Sequence, residues 1–207
     1  MDARTLLEPY KIVPVVVVDD ADDAVRLAEV FVEAGVGVIE VTLRTSAAMQ
    51  ALEAIASRVP EMLLGAGSVR SAAQLADVAA AGARFAVSPG SSSALLEAAA
   101  ASAMPFVPGA ITPSEVLGLL ERGYTLQKFF PAEAAGGIPF LKSLSSPIPE
   151  AAFMPTGGIG PGLARDYLAL PNVLAVGGSW LAPSALVASG AFDEIAALAR
   201  DAAAIGV

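Results

Sequence analysis

Residues 12–35 read Ile12-Val13-Pro14-Val15-Val16-Val17-Val18-Asp19-Asp20-Ala21-Asp22-Asp23-Ala24-Val25-Arg26-Leu27-Ala28-Glu29-Val30-Phe31-Val32-Glu33-Ala34-Gly35, and this stretch decides the fold. The run 12–18 is short, continuous and β-branched, which predicts a buried strand. At Asp20 the apolar period changes to that of a helix, which spans 21–34 with Asp20 as its N-cap and Gly35 as its stop. The unit is therefore a strand followed at once by a helix.

Outward from it the same unit recurs along the chain. Strands are predicted at 38–43, 62–66, 84–87, 105–107, 126–130, 152–155 and 173–176. The helices that follow them fall at 47–58 behind Ser46, at 72–81, and at 92–101. Others span 113–122, with Thr112 as cap and Pro113 at the first helical position, 139–144, and 162–168. Two helical stretches, 183–189 and 192–204, close the sequence. Strands alternating with helices imply parallel pairing through right-handed crossovers. Eight units in 207 residues predict an α/β fold, a single (β/α)8 TIM barrel over residues 1–207 with a short N-terminal helical segment. An open doubly wound sheet is the alternative. It would leave two edges to cover, whereas the first and last strands both read as buried.

Hydrophobic residues make up 55% of the chain and charged residues only 16%, which points to a compact molecule that hides surface against copies of itself. A net charge of -9 argues against nucleic acid or an anionic membrane as partner. It also means that an anionic substrate needs a locally positive site. No stretch is long and apolar enough to span a bilayer. Met1-Asp2-Ala3-Arg4-Thr5 lacks the basic start and apolar core of a signal peptide, and there is no cysteine, so a cytoplasmic location is expected.

The chain has no histidine either. The usual acid, base and nucleophile near neutral pH, thiolate chemistry and zinc sites built on Cys or His are thus all removed. Against that background Lys128, inside the apolar run Leu126-Gln127-Lys128-Phe129-Phe130-Pro131, stands out. Desolvation disfavours the ammonium form and favours a free amine that attacks carbonyls, which makes Lys128 the candidate Schiff-base nucleophile. The competing reading is a lysine whose stem packs while its head reaches solvent.

In a barrel the chemistry lies at the carboxyl ends of the strands. At the end of the second strand Glu40, Thr42 and Arg44 alternate onto one face. Glu40 is the candidate proton shuttle, Arg44 the group for bidentate capture of a carboxylate, and a guanidinium there would help keep Lys128 neutral. An internal Glu40–Arg44 ion pair is the structural alternative. The third strand runs into Gly65-Ala66-Gly67-Ser68, whose glycines permit close backbone approach and whose serine offers a hydroxyl. The last two strands end in glycine pairs, Thr156-Gly157-Gly158 and Gly177-Gly178-Ser179, and backbone amides at such turns make an anion nest. Trp180 and the phenylalanines read as packing, Lys11 and Lys142 as surface or strand-edge residues.

Taken together, residues 35–44, Gly65-Ala66-Gly67-Ser68, Ser88-Pro89-Gly90, Lys128-Phe129-Phe130-Pro131-Ala132-Glu133, Pro155-Thr156-Gly157-Gly158 and Gly177-Gly178-Ser179-Trp180 resemble the family of 2-keto-3-deoxy-6-phosphogluconate (KDPG) aldolases, class I Schiff-base enzymes that also cleave 4-hydroxy-2-oxoglutarate. The resemblance covers nearly the whole chain. It implies a homotrimeric TIM barrel with no metal and no cofactor, acting on a phosphorylated 2-keto acid. It assigns Lys128 as the Schiff-base lysine and Glu40 as general acid/base, with Arg44, Ser68, Pro89 and Thr156 around the pyruvate end and Gly157, Gly158, Gly178 and Ser179 around the phosphate. Ser68 stands where the family usually has threonine, and Gln127 where it usually has an apolar residue. Gln127 is expected to face away from the site and to matter for packing. Thr156 resembles the gluconate-type enzymes more than those preferring the galactonate epimer. A phosphosugar isomerase or epimerase on the same barrel, and a phosphosugar-binding sensor, are the other readings left open.

Overall fold

A computed structural model of the chain describes residues 2–205; of the expected domain 1–207, Met1, Gly206 and Val207 lie outside the described residues. The strands are β1 (Ile12–Val16), β2 (Val38–Thr42), β3 (Leu63–Gly67), β4 (Phe85–Val87), β5 (Phe106–Val107), β6 (Leu126–Phe129), β7 (Ala152–Pro155) and β8 (Val176–Gly178). A helix α1 (Ala3–Leu7) precedes them. The intervening helices are α2 (Ala21–Glu33), α3 (Ala48–Arg58), α4 (Ala72–Ala80), α5 (Ser93–Ala101), α6 (Pro113–Glu121), α7 (Gly137–Leu144) and α8 (Pro161–Leu168). Helices α9 (Ser184–Ala188) and α10 (Phe192–Ala203) follow the last strand.

All ladders are parallel. They run in the order β5-β4-β3-β2-β1-β8, with β6 beside β7. Single bridges Gly109↔Lys128, Phe153↔Val173 and Thr156↔Gly177 close the two gaps, so the sheet has no free edge and the open doubly wound alternative falls. The expected caps are in place: the Asp20 carboxylate accepts from the Asp22 and Asp23 amides, and Thr112 with Glu115 forms a reciprocal capping box. Ser46 does not cap α3. The chain turns over residues 43–47 before that helix, whose N-cap is Ala47 with no side-chain hydrogen bond.

The core has two parts, as the alternation of strand side chains requires. Between sheet and helices lies a large apolar layer that includes Phe31, Ile39, Leu52, Phe129, Phe153 and Tyr167. Inside the barrel, Val13, Val38, Leu63, Phe85, Val107, Leu126 and Met154 fill the end nearest the strand N-termini, and Ala3 and Leu7 of α1 pack onto them as a plug. The interior is thus sealed at one end, and polar side chains are admitted only toward the other. Among the described residues no helix is long and apolar enough to cross a membrane.

One boundary departs from expectation. The last strand is not 173–176: Gly177 and Gly178 are themselves strand residues, paired with Val13 and Pro14 of β1. A Cβ on Gly177 would collide with the Thr156 hydroxyl, and one on Gly178 with the Trp180 ring. These glycines are small so that neighbouring side chains can lie against the ladder, not so that the chain can turn.

Candidate active site

Lys128 occupies the third position of β6, and its side chain points into the barrel because Gln127 and Phe129 on either side point out. The outward Gln127 amide donates to the carbonyls of Val116 at 3.1 Å and Tyr124 at 3.0 Å, tying β6 to the α6 segment as the sequence reading expected of a packing residue. Glu40, at the middle of β2, projects inward from the opposite wall. Lys128 Nζ donates to Glu40 Oε1 at 3.1 Å, and their side chains retain only 6% and 0% exposure. The face of Phe130 lies 5.4 Å from the same nitrogen. A buried ammonium and carboxylate in contact stabilise each other against desolvation, and a proton can pass between them without a carrier.

The contact settles the choice left open at the second strand. Glu40 pairs with Lys128 and not with Arg44, so the internal Glu40–Arg44 ion pair is not formed. Arg44 lies beyond the end of β2 on an exposed turn and makes no ion pair among the described residues. Thr42, which shares its face with Glu40, spends its hydroxyl on the Val16 carbonyl of β1 at 2.8 Å. Glu40 can approach the β3 backbone only because residue 67 is glycine: a Cβ there would overlap the carboxylate.

Arg44, Ser68 and Pro89, drawn from three successive strand ends, line one hollow at the barrel mouth together with Leu43 and Arg70. Ser68 holds a left-handed backbone (φ 59), uncommon for a residue with a side chain and found where surrounding structure imposes it. Pro89 is set by its neighbour: the buried Ser88 hydroxyl donates to the Gly90 carbonyl at 2.5 Å and accepts from the Gly109 amide at 3.4 Å. Arg70 was not anticipated. It follows a strand end by three residues and falls in no motif, so only the fold places it in the same hollow as Arg44.

Thr156 follows β7 directly and is buried, and its hydroxyl makes no hydrogen bond among the described residues; the same holds for the second oxygen of Glu40. Each is a buried polar atom whose hydrogen bond a ligand can supply. Gly157 and Gly158 turn the chain with φ 104 and 79, conformations that need glycine, before Pro161 opens α8. Gly178 is buried and Ser179 exposed at the end of β8. Four residues separate Ser179 from Ser184, the first residue of α9, so the helix begins within one residue of its expected start at 183. The structure thus groups the predicted residues into a buried pair, a two-arginine hollow on the β2–β4 side, and a glycine-lined rim on the β7–β8 side. Phe130 joins the site as well, although the sequence reading placed all phenylalanines in packing; its position two residues after Lys128 on the same face was the available signal.

Comparison with known proteins gives one family. The model for KDPG and KHG aldolases matches residues 4–198. A 2-dehydro-3-deoxy-phosphogluconate aldolase of Pseudoalteromonas atlantica is 49% identical over 93% of this chain and 90% of its own, and a KHG/KDPG aldolase of Escherichia coli K12 is 47% identical over 97% and 94%. Among solved structures, the KDPG aldolase of Legionella pneumophila, with pyruvate captured as a covalent carbinolamine intermediate, superposes with a TM-score of 0.94 at 43% identity, covering 97% of both chains.

Proposed function

The chain belongs to the KDPG and KHG aldolase family, and we propose that it is a class I aldolase that cleaves 2-keto-3-deoxy-6-phosphogluconate to pyruvate and glyceraldehyde 3-phosphate, and 4-hydroxy-2-oxoglutarate by the same chemistry. The observation that carries the residue assignment is the buried contact between Lys128 Nζ and Glu40 Oε1 at 3.1 Å.

As substrate enters, Glu40 takes a proton from Lys128, and the free amine adds to the C2 ketone. Loss of water leaves a protonated imine. Glu40, having returned its proton to the departing hydroxyl, accepts the proton of the C4 hydroxyl while the C3–C4 bond breaks. The bond pair moves into C2–C3 and the imine π pair onto nitrogen, so glyceraldehyde 3-phosphate departs as the aldehyde. Glu40 then protonates C3 of the enamine, and water hydrolyses the imine to pyruvate, freeing Lys128. Arg44, Ser68, Pro89 and Thr156 hold the carboxylate end, and the amides of Gly157 and Gly158 with the Ser179 hydroxyl hold the phosphate; the Gly178 amide, expected there, is taken up in the β1–β8 ladder. Fixing both ends places the scissile bond between the amine and the carboxylate, an effect worth several kcal/mol of barrier, on the order of 5.

The same reading makes the molecule one barrel domain, working as a cytoplasmic homotrimer. A composition of 55% hydrophobic and only 16% charged residues favours self-association, and sedimentation equilibrium checks it. Incubation with pyruvate and borohydride tests the chemistry. A three-carbon adduct on Lys128 supports the imine. Label on another residue, or turnover of the gluconate substrate by Lys128→Ala at the parent's rate, overturns it, and an isomerase or sensor would gain no adduct at all.

A further inference from the structure

We propose that Tyr167 and Glu133 form a positioning pair that holds the Gly157–Gly158 turn in register and thereby sets the preference for phosphorylated over unphosphorylated substrate. Tyr167 is fully buried on α8, yet its hydroxyl finds a partner, donating to Glu133 Oε1 at 2.5 Å. Burial first, then the hydrogen bond and charge of Glu133, raise the phenol well above its usual range, so it stays a donor. Glu133 sits on the loop that leaves β6, five residues after Lys128. Its Cβ and Cγ lie 2.9 Å from where a Cβ of Gly158 would be, so its stem occupies the space that glycine vacates.

Two backbone bonds lock the same loop to the turn: the Glu133 amide donates to the Gly157 carbonyl at 3.2 Å, and the Ala132 amide to the Thr156 carbonyl at 2.8 Å. Gly157 and Gly158 have the widest backbone freedom of any residue type, so the direction of their amides depends on what is packed against them. Against Gly158 lies the Glu133 stem, against Gly157 lie the Phe130 ring and Pro131, and the Glu133 carboxylate is held by Tyr167. The hollow of Arg44, Ser68 and Pro89 is built on other strand ends, and Thr156, which precedes the turn, is held independently by its amide on the Phe129 carbonyl of β6 at 2.9 Å, so loss of the pair should disturb one end of the substrate and spare the other.

The inference rests on the reading of this turn and Ser179 as the phosphate site, and the test separates the two. Steady-state constants for the phosphorylated gluconate substrate and for 4-hydroxy-2-oxoglutarate are measured on Tyr167→Phe, Glu133→Ala, Glu133→Gln and Ser179→Ala. Tyr167→Phe and Glu133→Ala should raise KM for the phosphorylated substrate about five- to tenfold, the effect of one hydrogen bond, with kcat within about twofold and the unphosphorylated KM unchanged within about twofold. Glu133→Gln keeps an acceptor and should recover most of the loss. Should Tyr167→Phe fail to fold, the exposed Glu133→Ala carries the same comparison. If Ser179→Ala alters the ratio of the two KM values while Tyr167→Phe and Glu133→Ala do not, or alter both KM values equally, the positioning pair is wrong and the phosphate site stands. If none of the variants alters the ratio, the phosphate site itself is misassigned.

Discussion

Lys128 and Glu40 reach each other from opposite walls of the barrel, β6 and β2, and meet at 3.1 Å with almost no exposed surface. Removing one partner from such a pair leaves an uncompensated buried charge, which costs about 3–5 kcal/mol, whereas removing both is often neutral. Lys128→Met should therefore unfold at distinctly lower denaturant than the parent, and Lys128→Met/Glu40→Gln should regain most of the difference. Neither variant should turn over substrate. Equal midpoints for the parent and Lys128→Met, in urea at neutral pH, would show that the pair carries no such coupling.

The second relationship to test is that of Gly177 with Thr156. Both lie at the meeting of β7 and β8, where a methyl on residue 177 would overlap the threonine hydroxyl. Gly177→Ala must push that hydroxyl from its buried place. The expected result is a fall in kcat/KM of roughly 10–100-fold, the scale of a misplaced contact near the chemistry. Thr156→Ala, which removes the hydroxyl without crowding, should lose activity too. If Gly177→Ala works as well as the parent, the hydroxyl has no part in holding substrate.

The β/α order was legible because each strand is a compact β-branched run and each helix carries its own punctuation, as at Asp20 and Thr112. Lys128 and Glu40 stood out singly, because a lysine and a glutamate on apolar strands must each meet something; that they meet each other needed the folded barrel. Which partner Glu40 chooses was not legible, since Arg44 shares its strand face and only the turn over residues 43–47 carries the guanidinium out to the rim. Nor was the role of Gly177 and Gly178. A glycine pair reads as a turn from local sequence, and the reason for the missing side chains lies in Thr156 and Trp180, whose proximity needs the folded ladder. Arg70 and the contact of Tyr167 with Glu133 depend wholly on tertiary structure and leave no periodic trace.

Gln127 separates stability from activity. Its side chain is fully buried on the outer face of β6 and supplies two carbonyls with a donor, while its own oxygen has no partner among the described residues. Gln127→Leu keeps the volume but leaves those carbonyls short of a hydrogen bond, at a cost of about 1–3 kcal/mol. Denaturant midpoints should fall accordingly while kcat on the gluconate substrate stays within about twofold. A large loss of kcat with unchanged stability would mean that the side chain acts on Lys128, which its outward direction opposes.

The capping box of α6 gives a prediction in pH. The Thr112 backbone amide, then the Ile111 amide and the Thr112 hydroxyl, hold the Glu115 carboxyl below its ordinary range, and slight burial opposes them only in part. A carboxylate whose folded value is depressed contributes stability that is fully present above its unfolded value, near 4.5, and is lost as pH falls through the folded value. Glu115→Gln keeps an acceptor for the amides but removes the charge, so it should be less stable than the parent at neutral pH. On acidification the parent loses its advantage and the two denaturation midpoints should converge below the folded value. Every other carboxylate titrates alike in both proteins and cancels from the comparison. A gap in midpoint that is the same at pH 7 and at pH 3 would assign the capping effect to hydrogen-bond geometry alone, with no contribution from the charge.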